Sequence, residues 1–217
     1  MEKKPLGRYV LTDELYALLK RQILSHEMTA GDKINIDKLA RDLGVSNIPI
    51  REALFKLSSE GFVTVVPFKG MFVAEMNLRD IDEIFEIRSS LEELAIRKAI
   101  PYLPKAKLQQ ILNELSTGSD TPAQNGEEGR ILKMNEGLHG TILAYANNEN
   151  LQRTVTSLIE RIYRYLNLLH YKIEINAEKV EHEAILHALL EENTGNAIDA
   201  MRVHLKNAHK RVREHFK

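Results

Sequence analysis

Between Leu39 and Gly61 the chain reads LARDLGVSNIPIREALFKLSSEG, two short helical periods hinged on a glycine. Ile36, Leu39, Ala40 and Leu43 mark a first helix that Gly44 ends, because glycine enters a sharp turn without the steric cost of a Cβ. Val45 plugs the joint. A second helix begins after Ser46-Asn47, with Pro49 in its first turn, where a missing N–H costs little. Ile50, Ala53, Leu54 and Leu57 form its buried stripe, and Gly61 stops it. Upstream, Leu11, Leu15, Leu18, Leu19 and Ile23 follow helical spacing with Asp13 and Glu14 near the start, and Thr29-Ala30-Gly31-Asp32 reads as a turn. Downstream, the β-prone pieces Phe62–Val66 and Met71–Ala74 flank Pro67-Phe68-Lys69-Gly70, which predicts a hairpin. Helix, helix-turn-helix and hairpin in that order make a winged helix-turn-helix over residues 1–76.

Such a unit presents the N-terminal end of its last helix to a DNA major groove. Ser46, Asn47 and Arg51 occupy that end. Arginine there can contact guanine with two hydrogen bonds and asparagine can do the same to adenine, while Ser46 and the free N–H groups of the helix start suit phosphates. Lys56 and Lys69 are candidate phosphate contacts, and Glu52 suits an intramolecular partner better than a base. The bland alternative is a winged helix used for protein contact alone, since folds do not fix functions.

The whole chain has 217 residues, 43% hydrophobic and 28% charged, with 30 Lys+Arg against 31 Asp+Glu. That balance excludes a polybasic protein and an acidic disordered tail, and the lack of cysteine excludes disulfides, thiolate metal sites and cysteine nucleophiles. The start shows no signal peptide, and no stretch approaches the roughly 18 unbroken apolar residues of a membrane span. The sequence predicts a soluble, cytoplasmic protein. Strand-like sequence ends near Glu75–Asp80, where Asn77 can cap a helix and Asp80 suits the positive end of its dipole. Helical periods follow over 79–100, 104–117, 130–146, 150–170, 178–193 and 194–215, with an exposed loop predicted over Thr117–Arg130. The fold class is therefore mainly α: the winged domain, then an all-helical bundle over 77–217.

Inside the bundle, polar residues fall on apolar faces. Asn135 and His139 are four apart and share a face with Ile131, Leu138 and Ile142. His182 lies in line with Ile185, Leu186 and Leu189, and His204 with Met201, Leu205 and Ala208. A single inward histidine is more often a hydrogen-bonded core residue. Three of them with an amide point instead to a shared partner, because burying that many polar groups alone is costly. An i, i+4 pair on one helix presents two ligands to one metal ion. Arg88 is in line with Ile81, Ile84 and Phe85, with Glu92 one turn later. It reads equally as an internal staple and as a guanidinium that holds a ligand carboxylate. Arg161, bordering the stripe of Leu158, Ile162 and Leu166, is a second candidate for that role. Tyr163, Tyr165 and Tyr171 read as core or interface aromatics.

The stretch from Tyr9 to Ala74, above all the L-A-x-x-L-G-V-S-x-x-P-x-R-E-A-L-x-x-L-x-x-E-G run over Leu39–Gly61, resembles the DNA-binding domain of GntR-family bacterial transcription regulators. The resemblance implies DNA contact by Ser46, Asn47, Arg51 and the wing-tip Gly70. Asn47 stands where arginine is common, and Val66 and Phe68 replace wing residues that are often basic. With 11 basic and 10 acidic residues, this domain has a net charge of only +1, which predicts modest or strongly salt-dependent affinity. The second half resembles the all-helical FCD domain of the FadR-type branch in its six-helix version, through Arg88…Glu92, Asn135-x3-His139, Glu181-His182 and Met201-x-x-His204. That resemblance implies a divalent metal (Zn, Ni or Mn) held by Asn135, His139, His182 and His204, beside a small carboxylate effector. The family commonly has aspartate where Asn135 stands. A neutral carbonyl leaves the ion its full charge, which weakens retention and strengthens attraction for an anion.

These readings predict a ligand-responsive regulator, more a repressor than an activator, that binds an inverted-repeat operator as a homodimer, since paired units read paired half-sites. The rivals are a metal-dependent hydrolase or isomerase on the same bundle and a metal sensor without organic ligand. A zinc-water enzyme needs a general base at the ion. Glu136 and Glu183 adjoin ligands in sequence, but a step of about 100° along a helix aims them elsewhere, so no enzyme is expected.

Overall fold

The structure is a computed structural model that describes residues 6–117, 126–168 and 175–216, with side chains over 11–116, 136–166, 177–214 and 216. The chain divides into two compact units, Met1–Met76 and Asn77–Lys217.

In the first unit, α1 (Leu6–Leu24), α2 (Ile36–Leu43) and α3 (Asn47–Ser59) precede an antiparallel hairpin of β1 (Val63–Val66) and β2 (Gly70–Val73). α1 starts well before Asp13 and Glu14, so those acids lie within the helix and not near its start. Leu15, Leu19 and Ile23 of α1 join Ile50, Ala53, Leu54 and Leu57 of α3 in one core, completed by Phe62, Val63, Met71 and Val73. Each fully buried aliphatic there contributes about 1.5–3 kcal/mol. α2 lies at the rim: Ile36, Leu39 and Ala40 are only partly buried and Leu43 is exposed, because the space between α1 and α3 is already filled. Gly44 takes φ 66°, and its N–H closes back on Ala40 and Arg41, which turns the chain sharply into α3. Residues past the predicted turn add a bridge to the wing, with the Ile34 N–H donating to Met71 O at 2.8 Å and the Val73 N–H to Asp32 O at 2.9 Å.

The second unit is all helical among the described residues: α4 (Leu78–Ala99), a 3-10 turn at Ile100–Tyr102, α5 (Lys105–Thr117), α6 (Gly126–Tyr145), α7 (Glu149–Leu168), α8 (Ile175–Leu190) and α9 (Thr194–His215). Asn77 caps α4 by accepting from the Asp80 N–H at 2.9 Å. α6 begins inside the stretch read as a loop; residues 118–125 of that loop, His170 and Tyr171 lie outside the described residues. α9 packs along both α4 and α8, and α6 and α7 close against α4. The buried faces of these helices carry Ile84, Ile96, Leu138, Ile142, Ile185, Leu189 and Leu205, and bring the inward polar groups into one region. No helix among the described residues is long and apolar enough to cross a membrane.

Candidate functional site

At the start of α3, Ser46 is the N-cap in an extended conformation and makes no side-chain cap bond. Arg51 is exposed, and no ion pair among the described residues holds it. Asn47 is already engaged: its Nδ2 donates to Asp37 Oδ1 at 2.7 Å. Lys56 points toward α1, 3.4 Å from Asp13 Oδ1 and 4.0 Å above the Tyr16 ring, which leaves it less free for a phosphate than its sequence suggested. Glu52 accepts from Thr12 Oγ1 at 3.1 Å. Ile48 and Phe55, about one turn to either side of Arg51 along the helix, are both exposed, a feature that sequence reasoning passed over. At the hairpin tip Lys69 is exposed, Phe68 is fully exposed at φ 62°, and Gly70 takes φ 112°. Glycine suits Gly70 because a φ of 112° is a backbone that side chains rarely adopt, although the space beside it would admit a Cβ.

In the bundle, His139 of α6, His182 of α8 and His204 of α9 are all buried, and each offers a nitrogen within 4.8 Å of the others. His182 Nε2 and His204 Nε2 are 3.3 Å apart. Two nitrogens bound to one ion at about 2.1 Å and a near-tetrahedral angle stand about 3.4 Å apart, so the pair fits a shared cation. Carboxylates orient two of the rings. His139 Nδ1 donates to Glu92 Oε2, and His204 Nδ1 donates to Glu181 Oε2 at 2.8 Å. Each bond places the proton on Nδ1 and leaves the Nε2 lone pair inward, the arrangement that supports metal-ligating histidines. His139 Nε2 and His182 Nδ1 are buried with no hydrogen-bond partner among the described residues. Asn135 lies one turn before His139 in α6, and its side chain is outside those described.

Electrostatics favour the neutral form of His182 and His204 and the charged form of Glu92 and Glu181. Burial, reinforced by the neighbouring rings and arginines, pushes His182 well below the usual imidazole range. Burial also lowers His204, to about 4, although Glu181 opposes the shift. Burial works against ionising Glu92, but His139 and Arg88 outweigh it and bring the carboxyl to about 2. Glu181 reaches about 2 in the same way, with burial outweighed by bonds from Arg211, His204 and Asn207. Neutral imidazoles backed by ionised carboxylates are the protonation states that a cation requires.

Beside the histidines is a small pocket, part of it open to solvent. Arg88, Glu178, His204 and Arg211 give it a polar side, and Ile162 and Leu166 of α7 an apolar one. Arg88 donates through Nε to Glu92 Oε1 at 2.8 Å, so staple and pocket lining are the same residue. Arg161 is not among the lining residues. It pairs with Asp80, which also accepts from Tyr165 Oη at 2.8 Å, so α7 clasps the first turn of α4. Sequence reasoning missed Arg211, which grips both oxygens of Glu181 at 2.8 Å, and Glu178, which is buried. Glu178 was within reach: it precedes His182 by one turn and therefore shares its face.

The first unit is a winged helix-turn-helix, and the second an all-helical domain with a buried polar centre. Together they have the plan of a DNA-binding regulator with an attached helical domain. Residues 11–73 match the family described as "Bacterial regulatory proteins, gntR family", and residues 83–207 match the FCD domain. The chain belongs to the GntR family of regulators, with an FCD domain as its second half. It is 31% identical over 166 residues to the Nta operon transcriptional regulator of Aminobacter aminovorans, covering 76% of this chain and 75% of that one. It is 31% identical over 175 residues to the HTH-type transcriptional regulator McbR of Escherichia coli (strain K12), covering 79% and 77%. The HTH-type transcriptional repressor GlaR of the same strain is 25% identical over 198 residues, covering 88% and 90%. The solved structure of E. coli McbR/YncC superposes with a TM-score of 0.76 at 25% identity, over 95% of this chain and 99% of that one.

Proposed function

We propose that this transcriptional regulator is a repressor that binds an inverted-repeat operator as a homodimer and is released by a small organic acid sensed at a metal centre. The observation that carries the sensor reading is the buried trio His139, His182 and His204, with Glu92 and Glu181 behind two of its rings. These histidines, with Asn135, would hold a divalent ion (Zn, Ni or Mn). When bound, the ion supplies a positive centre for an anion. The protein's own charges explain why that matters: Arg88 and Arg211 are each matched by an acid, so without a cation the pocket has no excess positive charge. Arg88 lines the pocket and orients toward it the chain's share of carboxylate recognition.

On the DNA side, Arg51 reads a base, Ser46 and Lys69 contact phosphate, and Gly70 lets the wing backbone approach. Asn47 must exchange Asp37 for a base edge, and Lys56 must leave Asp13 to reach a phosphate. The relative named as a repressor supports that sign of regulation. A protein that acts on the bacterial chromosome works in the cytoplasm. Coupling runs through α7, which carries Ile162 and Leu166 on the pocket and Arg161 and Tyr165 on the first turn of α4, directly after the junction at Met76. Arg161 thus takes the role of a positioning residue rather than an effector ligand. To release DNA, the acid must bind the DNA-free arrangement more tightly, since equal affinity shifts nothing.

The test measures metal content by elemental analysis and operator affinity by fluorescence anisotropy, with and without chelator and candidate acids. His182→Ala and His204→Ala should lose metal and acid response while keeping operator binding. If both variants kept metal and response, these histidines would be core residues only. If the metal alone altered operator binding and no acid did, the pure metal-sensor reading would replace this one.

A further inference from the structure

At the tip of the hairpin one residue carries two costs. Phe68 is fully exposed, and its φ of 62° is a left-handed backbone that a bulky side chain rarely adopts. The Lys69 N–H donates to Val66 O at 3.1 Å, so Val66-Pro67-Phe68-Lys69 is a closed four-residue turn with proline second. A turn with proline second and a positive φ third favours glycine or asparagine at that third place. An exposed apolar side chain alone needs no explanation. Here glycine would remove the exposure and the strain together, and a strained residue held at a solvent-facing tip points to function.

The tip is tied to the side of the unit where α3 starts. Lys33 bridges to Phe72 of β2, and its Cε lies alongside Gly70. Four residues on, Asp37 accepts from Asn47 at the start of α3. Four residues span at most about 14 Å, to which the Lys33 side chain and the turn add. Half a turn of duplex, which separates a major groove from the next minor groove, is roughly 17 Å. With the start of α3 in the major groove, the tip therefore stands at the neighbouring minor groove. Lys33 and Lys69, both exposed, lie beside Phe68 as partners for the phosphates on either side.

Resting on the reading of Arg51 and Lys69 as DNA contacts, we propose that Phe68 is a minor-groove wedge: its ring enters a base step beside each half-site, partly unstacks it and kinks the duplex. The chemistry suits that occupant. An apolar ring between phosphate-seeking lysines fits a floor of stacked bases between two anionic walls. The wedge reads deformability and not base edges, so pyrimidine–purine steps such as TA and CA, which open most easily, are preferred beneath the tip. The hairpin is also pinned in advance, by the Ile34 N–H donating to Met71 O at 2.8 Å and the Val73 N–H to Asp32 O at 2.9 Å, so the ring is presented with little ordering left to do on binding. Phe68 thereby adds sequence selection at positions that Arg51 does not touch.

The test selects binding sites from a random duplex library with full-length wild type and Phe68→Gly, then labels the wild-type consensus at both ends to measure its bend by energy transfer. Wild type should enrich a pyrimidine–purine step at one fixed distance outside each Arg51-dependent position and bend the duplex by about 20° or more per half-site. Phe68→Gly should lose that step preference and most of the bend, and bind the consensus about five- to 30-fold more weakly. Its thermal midpoint should equal or exceed that of wild type, because glycine relieves the left-handed backbone. Phe68→Leu, which keeps an apolar wedge, should retain the bend and the step preference. Wild-type affinity and consensus in Phe68→Gly would overturn the proposal. So would weaker binding with bend and step preference intact, which would make Phe68 a contact to the sugar-phosphate backbone only. Loss of the dimer in sedimentation of Phe68→Gly would make the tip a protein contact and overturn it too. A wild-type consensus with an Arg51-dependent core and no flexible step would overturn the wedge alone, whereas enrichment of no sequence at all would overturn the base-reading role of Arg51 with it.

Discussion

Glu92 is the joint between the arginine that lines the pocket and the histidine nearest it, and replacing it isolates what that joint is worth. Its side chain is 3% exposed, with Oε1 bonded to Arg88 at 2.8 Å and Oε2 to His139. Breaking a buried ion pair by removing one partner costs about 3–5 kcal/mol, because the other charge is left uncompensated. Glu92→Gln preserves shape and one acceptor, which recovers about 1 kcal/mol. The expected net loss is therefore about 2–4 kcal/mol, or a fall in Tm of about 4–16 °C for a chain of this size. The neutral amide can satisfy Arg88 or His139 but not both as a charge, so the imidazole loses its fixed tautomer and metal affinity should drop about 10- to 100-fold. Thermal unfolding of metal-free protein and competition with a chromophoric chelator read the two effects separately. Leu108→Ala is the control: Leu108 is 1% exposed, its loss costs a similar about 2–5 kcal/mol, and it should leave metal affinity unchanged. Glu92→Gln with a Tm within about 2 °C of wild type and normal metal affinity would refute the idea that Arg88, Glu92 and His139 act as one unit.

Three further outcomes follow from the same structure. Arg51→Ala should cost about 1–3 kcal/mol at the cognate operator and relax its specificity, whereas Lys69→Ala should weaken all sequences alike and reduce the salt slope by about 1; anisotropy titrations at several salt concentrations check both, and identical behaviour would contradict the split between base and phosphate contact. His204 has a folded pKa of about 4, below the ordinary 6.5, so the unfolded chain takes up its proton first on acidification and stability is lost as pH falls from about 6.5 through 4. His204 accounts for about 3 kcal/mol of the loss that metal-free protein should show across that window in denaturant midpoints, and His204→Gln should remove that share while His182 keeps its own. Asn135→Asp should hold metal more tightly but lower affinity for a bound acid, because the added negative charge opposes it; tighter binding of both would count against the proposed charge balance.

The limits of sequence reading show in particular residues. Helix phase was enough to place His139, His182 and His204 on buried faces, because burial follows a 3.6-residue period that each helix carries within itself. Phase does not say which residue stands opposite. Arg161 borders an apolar stripe and looked suited to the pocket, yet Asp80 captures it from 81 residues away. Lys56 looked free for a phosphate until α1 brought Asp13 and Tyr16 against it.

Read alone, the sequence settles the order of elements, since Gly44, Pro49, Gly61 and the hairpin between Phe62 and Ala74 act through local backbone preferences that need no tertiary context. It settles the all-helical second half for the same reason. Only the tertiary structure decides who backs whom: Glu92 behind His139 across 47 residues, Glu181 behind His204 across 23, and Arg211 turned to Glu181, with Glu178 farther off. Those pairings come from how α4, α6, α8 and α9 pack, and a charged side chain buried by that packing takes whichever partner the neighbouring helix brings within hydrogen-bond reach, because leaving it unpaired is far costlier than any local preference.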